Sequence, residues 1–355
     1  MVKDYVEYCS WPAEQREQRI REIKDFFGKR LLVLAHHYQK DEVVRYADCR
    51  GDSLKLAEIA ARTTEAEFIV FCGVHFMAET ADILSGPEQK VILPDLLAGC
   101  SMADMVDAAS LEDCWEVMDE HYRTEIVPVA YVNSSAEVKA FCGRHGGLTC
   151  TSGNAARVFE RLYAANKSIL FVPDEHLGRN TGLRLGLTPE EIFLWDPKAP
   201  DVPLPRQRPK LILWKGFCCV HQRFFPDNVA AARQQYPGIK VIVHPECPRA
   251  LVEGADDTGS TEYIIKLVNE SPVGSAWAIG TEANLVNRLA RENPDKTVVS
   301  LNPHPSYCKS MNRLTEPGLL WALDNLWHGQ VVNEIHVDEV VAEQAAAALR
   351  RMLAV

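Results

Sequence analysis

Short apolar runs rich in Val, Ile and Leu alternate along the chain with longer helical patterns. This rhythm favours parallel sheets whose strands are joined by crossover helices. Runs this short and this apolar are typical of strands that are covered on both faces. The predicted strands are LLVLA (31–35), EFIVFC (67–72), KVILP (90–94), EIVPVA (125–130), SILFV (168–172), KLILW (210–214), KVIV (240–243), AWAIG (276–280) and TVVSL (297–301). The sequence therefore predicts an α/β fold.

The ends of the predicted strands follow one plan three times. The first strand of each set ends in polar residues, a serine then opens a helix, and the last strand leads to a cysteine. The polar ends are HHYQ (36–39), YVNSS (131–135) and HPEC (244–247), the serines are Ser53, Ser152 and Ser260, and the cysteines are Cys100, Cys218 and Cys308. The pattern indicates an internal repeat of one βα arrangement.

The spacing within each set supports this repeat. His36 lies 64 positions before Cys100, and His244 also lies 64 positions before Cys308. Tyr131 and Cys218 are 87 positions apart, and the excess fits a Pro-rich insertion over 178–209. Three similar units are therefore expected. Their predicted limits are a lead-in helix over 1–29, a first αβα unit over 30–102 on which the helices of 314–355 pack, a second unit over 103–219 that contains the insertion, and a third unit over 220–313.

Composition and charge exclude several classes of protein. The formal net charge is −11 and no basic cluster is visible, which argues against a nucleic-acid partner. No stretch approaches the ~18 apolar residues of a membrane span, and the charged N-terminus has no signal-peptide core. We therefore expect a cytoplasmic protein with no membrane partner. The 11 cysteines are an odd number spread over a long chain, which argues against a disulfide framework, and they include no C-x-x-C pair, which argues against a local zinc ribbon.

The three repeated cysteines predict a metal centre. Open parallel sheets bind ligands beyond the carboxyl ends of their strands, so we expect the polar ends of all three units to face one cavity. Cys100, Cys218 and Cys308 would meet there, and three thiolates with no fourth protein ligand leave an open coordination position. Thiolates favour iron–sulfur clusters or zinc, and the spacing leaves both open.

The repeated serines predict anion binding. Ser53, Ser152 and the Ser260–Thr261 pair are each expected at the N-terminus of a helix, where unpaired N–H groups attract carboxylates and phosphate. The alternative is ordinary N-capping, which stabilises a helix by ~1 kcal/mol per site.

Taken together, the motifs resemble the quinolinate synthase family over about residues 30–313. The matching segments are AHHYQKDEV, GDSL, FCGVHFMAETA, LPDLLAGCSMAD, YVNSSAEVKA, TSGNA, PDEHLGRNT, WKGFCCVH, VHPEC, DDTGSTEYI, WAIGTE and SLNPHPSYCKSMNR. The resemblance implies three Rossmann-like αβα units in a pseudo-three-fold triangle around one 4Fe–4S cluster. It also implies that Cys100, Cys218 and Cys308 hold the cluster and leave one iron open, with Cys218 preferred to its neighbour Cys219.

The resemblance further implies an activity. Members of this family are transferases of de novo NAD biosynthesis that condense iminoaspartate with dihydroxyacetone phosphate, yielding quinolinate, phosphate and water. The open iron would act as a Lewis acid, as other catalytic metals do. Functional coupling to an enzyme that makes iminoaspartate is implied as well.

Individual roles follow from the matched positions. The expected acid–base residues are His36, Tyr38, His244 and Glu246. The expected substrate-binding residues are His36, Ser53, Tyr131, Asn133, Ser152, His221, His244, Glu246, Ser260 and Thr261. His75 and His176 more often line contacts than touch substrate at such positions. The cysteines expected to play no part are Cys9, Cys49, Cys72, Cys114, Cys142, Cys150 and Cys247.

The sequence also allows two alternative hypotheses about function. The same three cysteines would also suit a zinc lyase or hydrolase. A non-enzymatic iron–sulfur sensor or small-molecule binding protein is the other alternative.

Overall fold

A computed structural model describes residues 4–118, 125–199 and 203–355. The chain divides into two compact units, one formed by Met1–Cys100 with Cys308–Asp338 and the other by Ser101–Tyr307 with Glu339–Val355. The first unit contains one β-sheet and the second contains two. The limits predicted above for three αβα units stay a prediction.

The described residues form fourteen strands and fifteen α-helices. The strands are β1 (Leu31–His36), β2 (Cys49–Gly51), β3 (Phe68–Cys72), β4 (Lys90–Ile92), β5 (Ile126–Tyr131), β6 (Leu148–Cys150), β7 (Ser168–Val172), β8 (Ile192–Trp195), β9 (Leu211–Trp214), β10 (Lys240–Val243), β11 (Asp257–Thr258), β12 (Ala276–Gly280), β13 (Thr297–Ser300) and β14 (Glu334–Ile335). The helices are α1 (Tyr5–Ser10), α2 (Ala13–Phe27), α3 (Asp41–Val44), α4 (Ser53–Arg62), α5 (His75–Leu84), α6 (Ala108–Val117), α7 (Ala136–Arg144), α8 (Ala155–Ala164), α9 (Glu175–Arg184), α10 (Pro226–Gln235), α11 (Arg249–Gly254), α12 (Thr261–Glu270), α13 (Ala283–Glu292), α14 (Glu316–Trp327) and α15 (Glu339–Leu353). No helix in these described ranges is both long enough and apolar enough to span a membrane.

The three sheets share one strand order. The first sheet runs β2-β1-β3-β4 with β14 added at the β4 edge, the second runs β6-β5-β7-β9 with β8 added, and the third runs β11-β10-β12-β13. All pairings are parallel except that of β14 with β4. In each sheet the second strand along the chain lies on one side of the first strand, and the third strand lies on the other side. Each sheet therefore has a topological switch point between its first and third strands.

The predicted α/β fold with three parallel-sheet units is confirmed. All nine predicted apolar runs form strands, and three of them match the observed limits: β7, β10 and β12. The five strands that were not predicted (β2, β6, β8, β11 and β14) have two to four residues each. Such strands lie at sheet edges and need few apolar side chains, so they leave little periodic signal in the sequence.

The predicted insertion begins later than expected. Residues 178–184 belong to α9, which starts three residues after its strand just as α5 and α13 do. The additional residues of the second sheet follow α9. They form a short 3-10 turn, Pro189–Glu191, and the edge strand β8.

The C-terminal helices pack at two different places. α14 lies in the first unit, whereas α15 packs on α7 and β6 beside the second sheet. The Thr149 hydroxyl lies 3.3 Å from the Met352 sulfur, and Arg351 donates to the carbonyl of Gly147 at 2.6 Å. The apolar face of α15 therefore closes the core of the second sheet, to which Ala348 belongs.

Gly143 permits this close approach of α7 to α15, and an alanine there should be destabilising. A Cβ at Gly143 would lie 1.8 Å from the carbonyl oxygen of Gln344, so the helices would have to separate. We expect Gly143→Ala to lower the free energy of unfolding by about 1–3 kcal/mol. Gly254→Ala is the matched control, because a Cβ at that helical position meets no atom within 4 Å. Equal urea midpoints for the two variants would contradict this account of the packing.

The first unit is held together by buried charges as well as by its core. Glu316, at the start of α14, accepts hydrogen bonds from Arg16 at 2.6 Å, from Tyr46 at 2.6 Å, and from Arg45. Arg19 of α2 donates to Asp324 of α14 through two nitrogens, at 2.9 and 2.7 Å. These contacts fix α2 and α14 to each other without involving any strand end.

Candidate functional site

Each sheet presents a pair of polar residues at the carboxyl end of its first strand. The strand-end residues are His36, Tyr131 and His244, and the residues two positions further on are Tyr38, Asn133 and Glu246. The backbone N–H of Tyr38 donates to Nδ1 of His36 at 3.1 Å, and that of Glu246 donates to Nδ1 of His244 at 3.4 Å. The first and third sheets therefore hold their histidines in the same way, with Nδ1 as the acceptor.

In the second unit, Glu246 lies at the centre of a buried acid–base cluster. One carboxylate oxygen is 2.6 Å from Nδ1 of His221 and 3.8 Å from Nδ1 of His244. The Tyr131 hydroxyl donates to the same carboxylate. The two imidazole rings are stacked, with centroids 4.5 Å apart and planes at 18°. Glu246, His221 and His244 are all buried, so bulk water does not screen their charges.

Burial and neighbouring groups shift the pKa values of Glu246 and His244 in this cluster. Burial raises the pKa of Glu246, but His221 and the Tyr131 hydrogen bond outweigh it and bring the pKa to about 2. Burial lowers the pKa of His244 to about 3, against the opposing charge of Glu246. At neutral pH the site thus holds a carboxylate beside an uncharged His244. Such divergence of neighbouring pKa values is common at catalytic sites.

A chain of hydrogen bonds leads from this cluster to a cavity. Because Nδ1 of His244 is an acceptor, the neutral ring carries its proton on Nε2 and donates to the Ser152 hydroxyl oxygen at 3.2 Å. The Ser152 proton is then directed away from His244. Ser152 and Ser260 both line a cavity of about 670 Å³. A hydroxyl that is already an acceptor from His244 is well suited to donate to an anion in that cavity.

The surroundings of His221 and Asn133 complete this part of the site. The Thr281 hydroxyl oxygen lies 3.1 Å from Nε2 of His221, and Nδ1 of the same ring lies 2.6 Å from the Glu246 carboxylate. The amide oxygen of Asn133 is buried and has no hydrogen-bond partner in the described part of the chain. A buried acceptor without a partner costs about 1–3 kcal/mol, so a ligand that donates to Asn133 would recover this free energy.

The serines do not all stand where the sequence suggested. Ser260 caps α12, accepting from the backbone N–H of Tyr263 at 3.4 Å. Ser53 is the first residue of α4, and the cap is Asp52, which accepts from Lys55. Ser152 precedes α8 by three residues and contacts His244 instead. N-capping therefore accounts for Ser260 alone. Thr261, next to it, is the first residue of α12.

Cys100, Cys218 and Cys308 lie in three copies of the same loop. In each copy a 3-10 turn begins three residues after the cysteine, and an α-helix begins eight residues after it. The turns are Ala103–Met105, His221–Arg223 and Met311–Arg313, and the helices are α6, α10 and α14. In all three, the N–H five residues after the cysteine donates to the carbonyl two residues after it, at 3.0, 3.3 and 3.1 Å. Cys219 does not fit this register, so the local structure favours Cys218.

The remaining cysteines differ from these three in exposure. Cys100, Cys218 and Cys308 are partly exposed, whereas Cys72, Cys114, Cys142, Cys150 and Cys247 are buried. Burial raises the pKa of the Cys72, Cys114 and Cys142 thiols to about 12, and raises those of Cys150 and Cys247 too. A thiol that resists ionisation is a poor metal ligand. Cys9 and Cys219 are exposed and Cys49 is partly exposed.

Cys218 also lies beside the acid–base cluster. Among the described residues, Cys218, His221 and Glu246 offer ligand atoms that lie within 4.8 Å of one another. A sulfur, a nitrogen and an oxygen donor in one place can bind a metal ion. His221 is the first residue of the 3-10 turn that follows Cys218, so both residues lie in one short loop.

The two less favoured histidines have carboxylate neighbours. His75 is 3.4 Å from Glu79, and His176 is 3.6 Å from Glu175. Burial lowers the pKa of His176. Both follow the third strand of a sheet. Sequence reasoning did not assign a role to three other residues in this part of the chain, Asp174, Asn180 and Thr281. Thr281 directly follows β12, and Asp174 lies two positions after the last residue of β7. Their positions at strand ends could have indicated a role from the sequence.

Asp174 is a fully buried carboxyl group, and we expect it to reduce stability as pH rises. Its Oδ1 caps α9 by accepting from Leu177 at 2.6 Å, while Oδ2 has no hydrogen-bond partner among the described residues. Burial, with the charge of Glu246, raises its pKa well above the usual value. The folded state therefore binds this proton more tightly than the unfolded chain, and stability falls as pH rises above the unfolded value of ~4. Asp174→Asn should unfold at a higher temperature than wild type at pH 8 and at the same temperature near pH 4.

Asp107 provides a control, because its effect on stability should change with pH in the opposite direction to that of Asp174. It also caps a helix, α6, but its carboxylate accepts from the backbone and hydroxyl of Ser110, both at 2.8 Å, and these bonds lower its pKa. Its contribution to stability is present above the unfolded pKa and is lost as pH falls. Asp107→Asn should therefore be less stable than wild type at pH 8. If both asparagine variants shifted the melting temperature in the same direction there, the assigned states of the two carboxyls would be wrong.

These features define an α/β protein with a candidate acid–base and metal site at the carboxyl ends of its parallel strands. The family model described as NadA, quinolinate synthetase A protein, matches residues 18–354. The chain belongs to the quinolinate synthase family, as its motifs suggested. Proteins named quinolinate synthase from Geobacillus sp. strain WCH70, Geobacillus kaustophilus strain HTA426 and Bacillus anthracis strain A0248 are 52%, 51% and 49% identical to it, over 98% of this chain and 95% of each relative.

Proposed function

We propose that this protein is a quinolinate synthase, a transferase that condenses iminoaspartate with dihydroxyacetone phosphate to give quinolinate, phosphate and water for NAD biosynthesis. Family membership supports this proposal, and so do relatives of that name that match nearly the whole chain. The structural observation that carries it is the buried cluster of Glu246, His221 and His244 next to Cys218. Iminoaspartate would come from a separate enzyme that produces it.

We propose that Cys100, Cys218 and Cys308 hold one 4Fe–4S cluster, leaving one iron without a cysteine. The support is chemical and local: the three cysteines lie in matching loops and are partly exposed, whereas five others are buried with raised pKa values. The donor set fits the cofactor, since thiolates are the usual ligands of iron–sulfur clusters. When bound, the cluster would supply a Lewis acid at its open iron.

The residues of the second unit supply the proton transfers in this proposal. Condensation, ring closure and loss of water each require protons to be taken up and released at defined atoms. Glu246 is ionised and can accept a proton, and Nδ1 of His221 lies 2.6 Å from its carboxylate. Tyr131 orients the same carboxylate. This carboxylate is buried beside the two stacked imidazoles.

The acidic groups of the substrates would be bound by neutral hydrogen-bond donors. Ser152 accepts a hydrogen bond from His244 and can donate its own hydroxyl proton into the cavity that Ser260 also lines, and Thr261 is the first residue of the adjoining helix. N–H groups at a helix N-terminus add to the attraction of carboxylate or phosphate. Asn133 presents a buried amide oxygen that needs a donor, such as an amine or hydroxyl of the substrate.

We assign the first unit's residues by their equivalence to the third sheet. His36 and Tyr38 repeat the backbone-to-Nδ1 hydrogen bond of the third sheet, and their rings meet edge to face at 4.6 Å. We propose that they also take part in proton transfer and substrate binding, and that Ser53 binds an anion at the start of α4.

An anaerobic assay tests the proposal. Protein purified without oxygen should be coloured, contain iron and acid-labile sulfide at four each per chain by the proposed cofactor, and form quinolinate from iminoaspartate and dihydroxyacetone phosphate. Absence of quinolinate from protein that carries its full iron and sulfide would contradict the proposed function and leave a cluster-bearing sensor.

A zinc lyase or hydrolase is the second candidate, and one observation favours it. Cys218, His221 and Glu246 alone form a donor set that zinc accepts. This candidate predicts colourless protein with one zinc and no sulfide. It also predicts that His221→Ala releases the metal, whereas the cysteine-held cluster of the first candidate would survive that substitution.

A further inference from the structure

Asn180 of α9 holds the turn that carries Glu246. Its side-chain nitrogen Nδ2 donates to the carbonyl of Pro245 at 2.9 Å and to that of Cys247 at 2.9 Å. These carbonyls belong to the residues directly before and after Glu246. The side chain is only 6% exposed. Both hydrogen bonds join a helix of the second sheet to the strand-end turn of the third sheet, within one compact unit.

The orientation of the Asn180 amide is determined by its neighbours. Two carbonyl oxygens face Nδ2, and the amide oxygen would be repelled in that place, so the group cannot be rotated by 180°. The opposite atom, Oδ1, is buried and has no hydrogen-bond partner in the described residues. The side chain is thus held by the two bonds to the turn.

The other hydrogen bonds of the turn's backbone lie within the turn or run to Gly280 at the end of β12. The N–H of Cys247 donates to the carbonyl of His244 at 3.0 Å, which closes the turn on itself, and the Cys247 thiol lies 3.6 Å from the carbonyl of Gly280. Asn180 therefore fixes the position of the Glu246 backbone relative to α9. A displacement of Glu246 would change its 2.6 Å approach to His221.

We propose that Asn180 is a positioning residue, which aligns Glu246 with His221 through the carbonyls of Pro245 and Cys247. The inference rests on the function proposed above, because Glu246 is assigned to proton transfer in that reaction. In this proposal Asn180 acts through the turn, and it also lines the cavity that Ser152 and Ser260 share. Small displacements of a catalytic group are costly, since a shift of ~1 Å can lower a rate by ~100-fold.

The test compares Asn180→Leu and Asn180→Asp with a matched control. Asn293 is also 6% exposed, and its Nδ2 also makes two hydrogen bonds, to the Leu289 carbonyl at 3.0 Å and to Asn269 at 2.9 Å. It follows the last residue of α13, at the opposite end of that helix from β12. Asn293→Leu should therefore suffer a similar loss of stability. Iron, sulfide and kcat for quinolinate formation are measured on all variants, together with hydrogen–deuterium exchange of the peptide that contains 244–247.

We expect both Asn180 variants to keep their iron and sulfide while kcat falls about 10- to 100-fold. Exchange in 244–247 should be faster than in wild type, whereas Asn293→Leu should change neither quantity. If Asn180→Leu does not fold, Asn180→Asp keeps the size of the side chain and serves alone. A wild-type kcat, or unchanged exchange in 244–247, overturns the inference. Wild-type protein that makes no quinolinate refutes the proposed function instead, and the exchange measurement then still decides whether Asn180 holds the turn.

Discussion

Glu246→Gln is expected to lower kcat for quinolinate formation by about 10²–10⁴-fold, the usual contribution of a positioned acid–base group. The carboxylate is 2.6 Å from His221, accepts from Tyr131, and is kept ionised at neutral pH by a pKa of about 2. Glutamine has nearly the same shape but carries no negative charge and cannot accept a proton. Iron and sulfide content should remain at the wild-type level, because the proposed cluster ligands are cysteines.

The control for this variant is another buried glutamate. Glu316 has the same exposure as Glu246, 2%, and is surrounded by Arg16, Arg45 and Tyr46 in the first unit. Glu316→Gln should lower the melting temperature, since breaking a buried ion pair typically costs about 3–5 kcal/mol. Its kcat, measured below that temperature, should stay near wild type. If Glu246→Gln behaved in the same way, losing stability but not turnover, Glu246 would be a structural residue.

The sequence predicted the strands and the site residues unequally well, for physical reasons. Runs such as SILFV (168–172) are covered on both faces, so their continuous apolar character marks them clearly. Short edge strands such as β11 carry no such signal. The cysteine register was visible in the spacings, two of which are equal, and the three loops share the same backbone hydrogen bond.

The contacts that organise the site were beyond sequence reasoning. His221 could be placed near Cys218 from its spacing, but its approach to Glu246 joins residues from different loops. Asn180 looks like any polar residue of a helix, and its bonds to the turn at 245–247 depend on how α9 crosses the end of the third sheet. Ser152 was expected at a helix start, yet its partner is His244. Side-chain pairing between distant segments leaves no periodic trace.

Cys218→Ser should abolish both the cluster and the activity, whereas Cys219→Ser should leave both intact. The two cysteines are adjacent, so the pair controls for position in the chain and for any general effect of losing a thiol. Cys218 stands three residues before the 3-10 turn, as Cys100 and Cys308 do before theirs, and it is partly exposed beside His221 and Glu246. Cys219 is exposed, and its sulfur lies 3.7 Å from the Ser101 hydroxyl.

The expected loss in Cys218→Ser follows from ligand chemistry. A serine hydroxyl does not ionise near neutral pH and replaces a soft thiolate by a hard oxygen donor, which iron–sulfur clusters bind poorly. Iron and sulfide per chain, the visible absorption of the cluster and quinolinate formation should therefore fall together. In Cys219→Ser all three should match wild type. The reverse pattern would transfer the ligand to Cys219 and break the register with Cys100 and Cys308. Loss of a single zinc from Cys218→Ser, with no sulfide in wild type, would instead favour the site formed by Cys218, His221 and Glu246 alone.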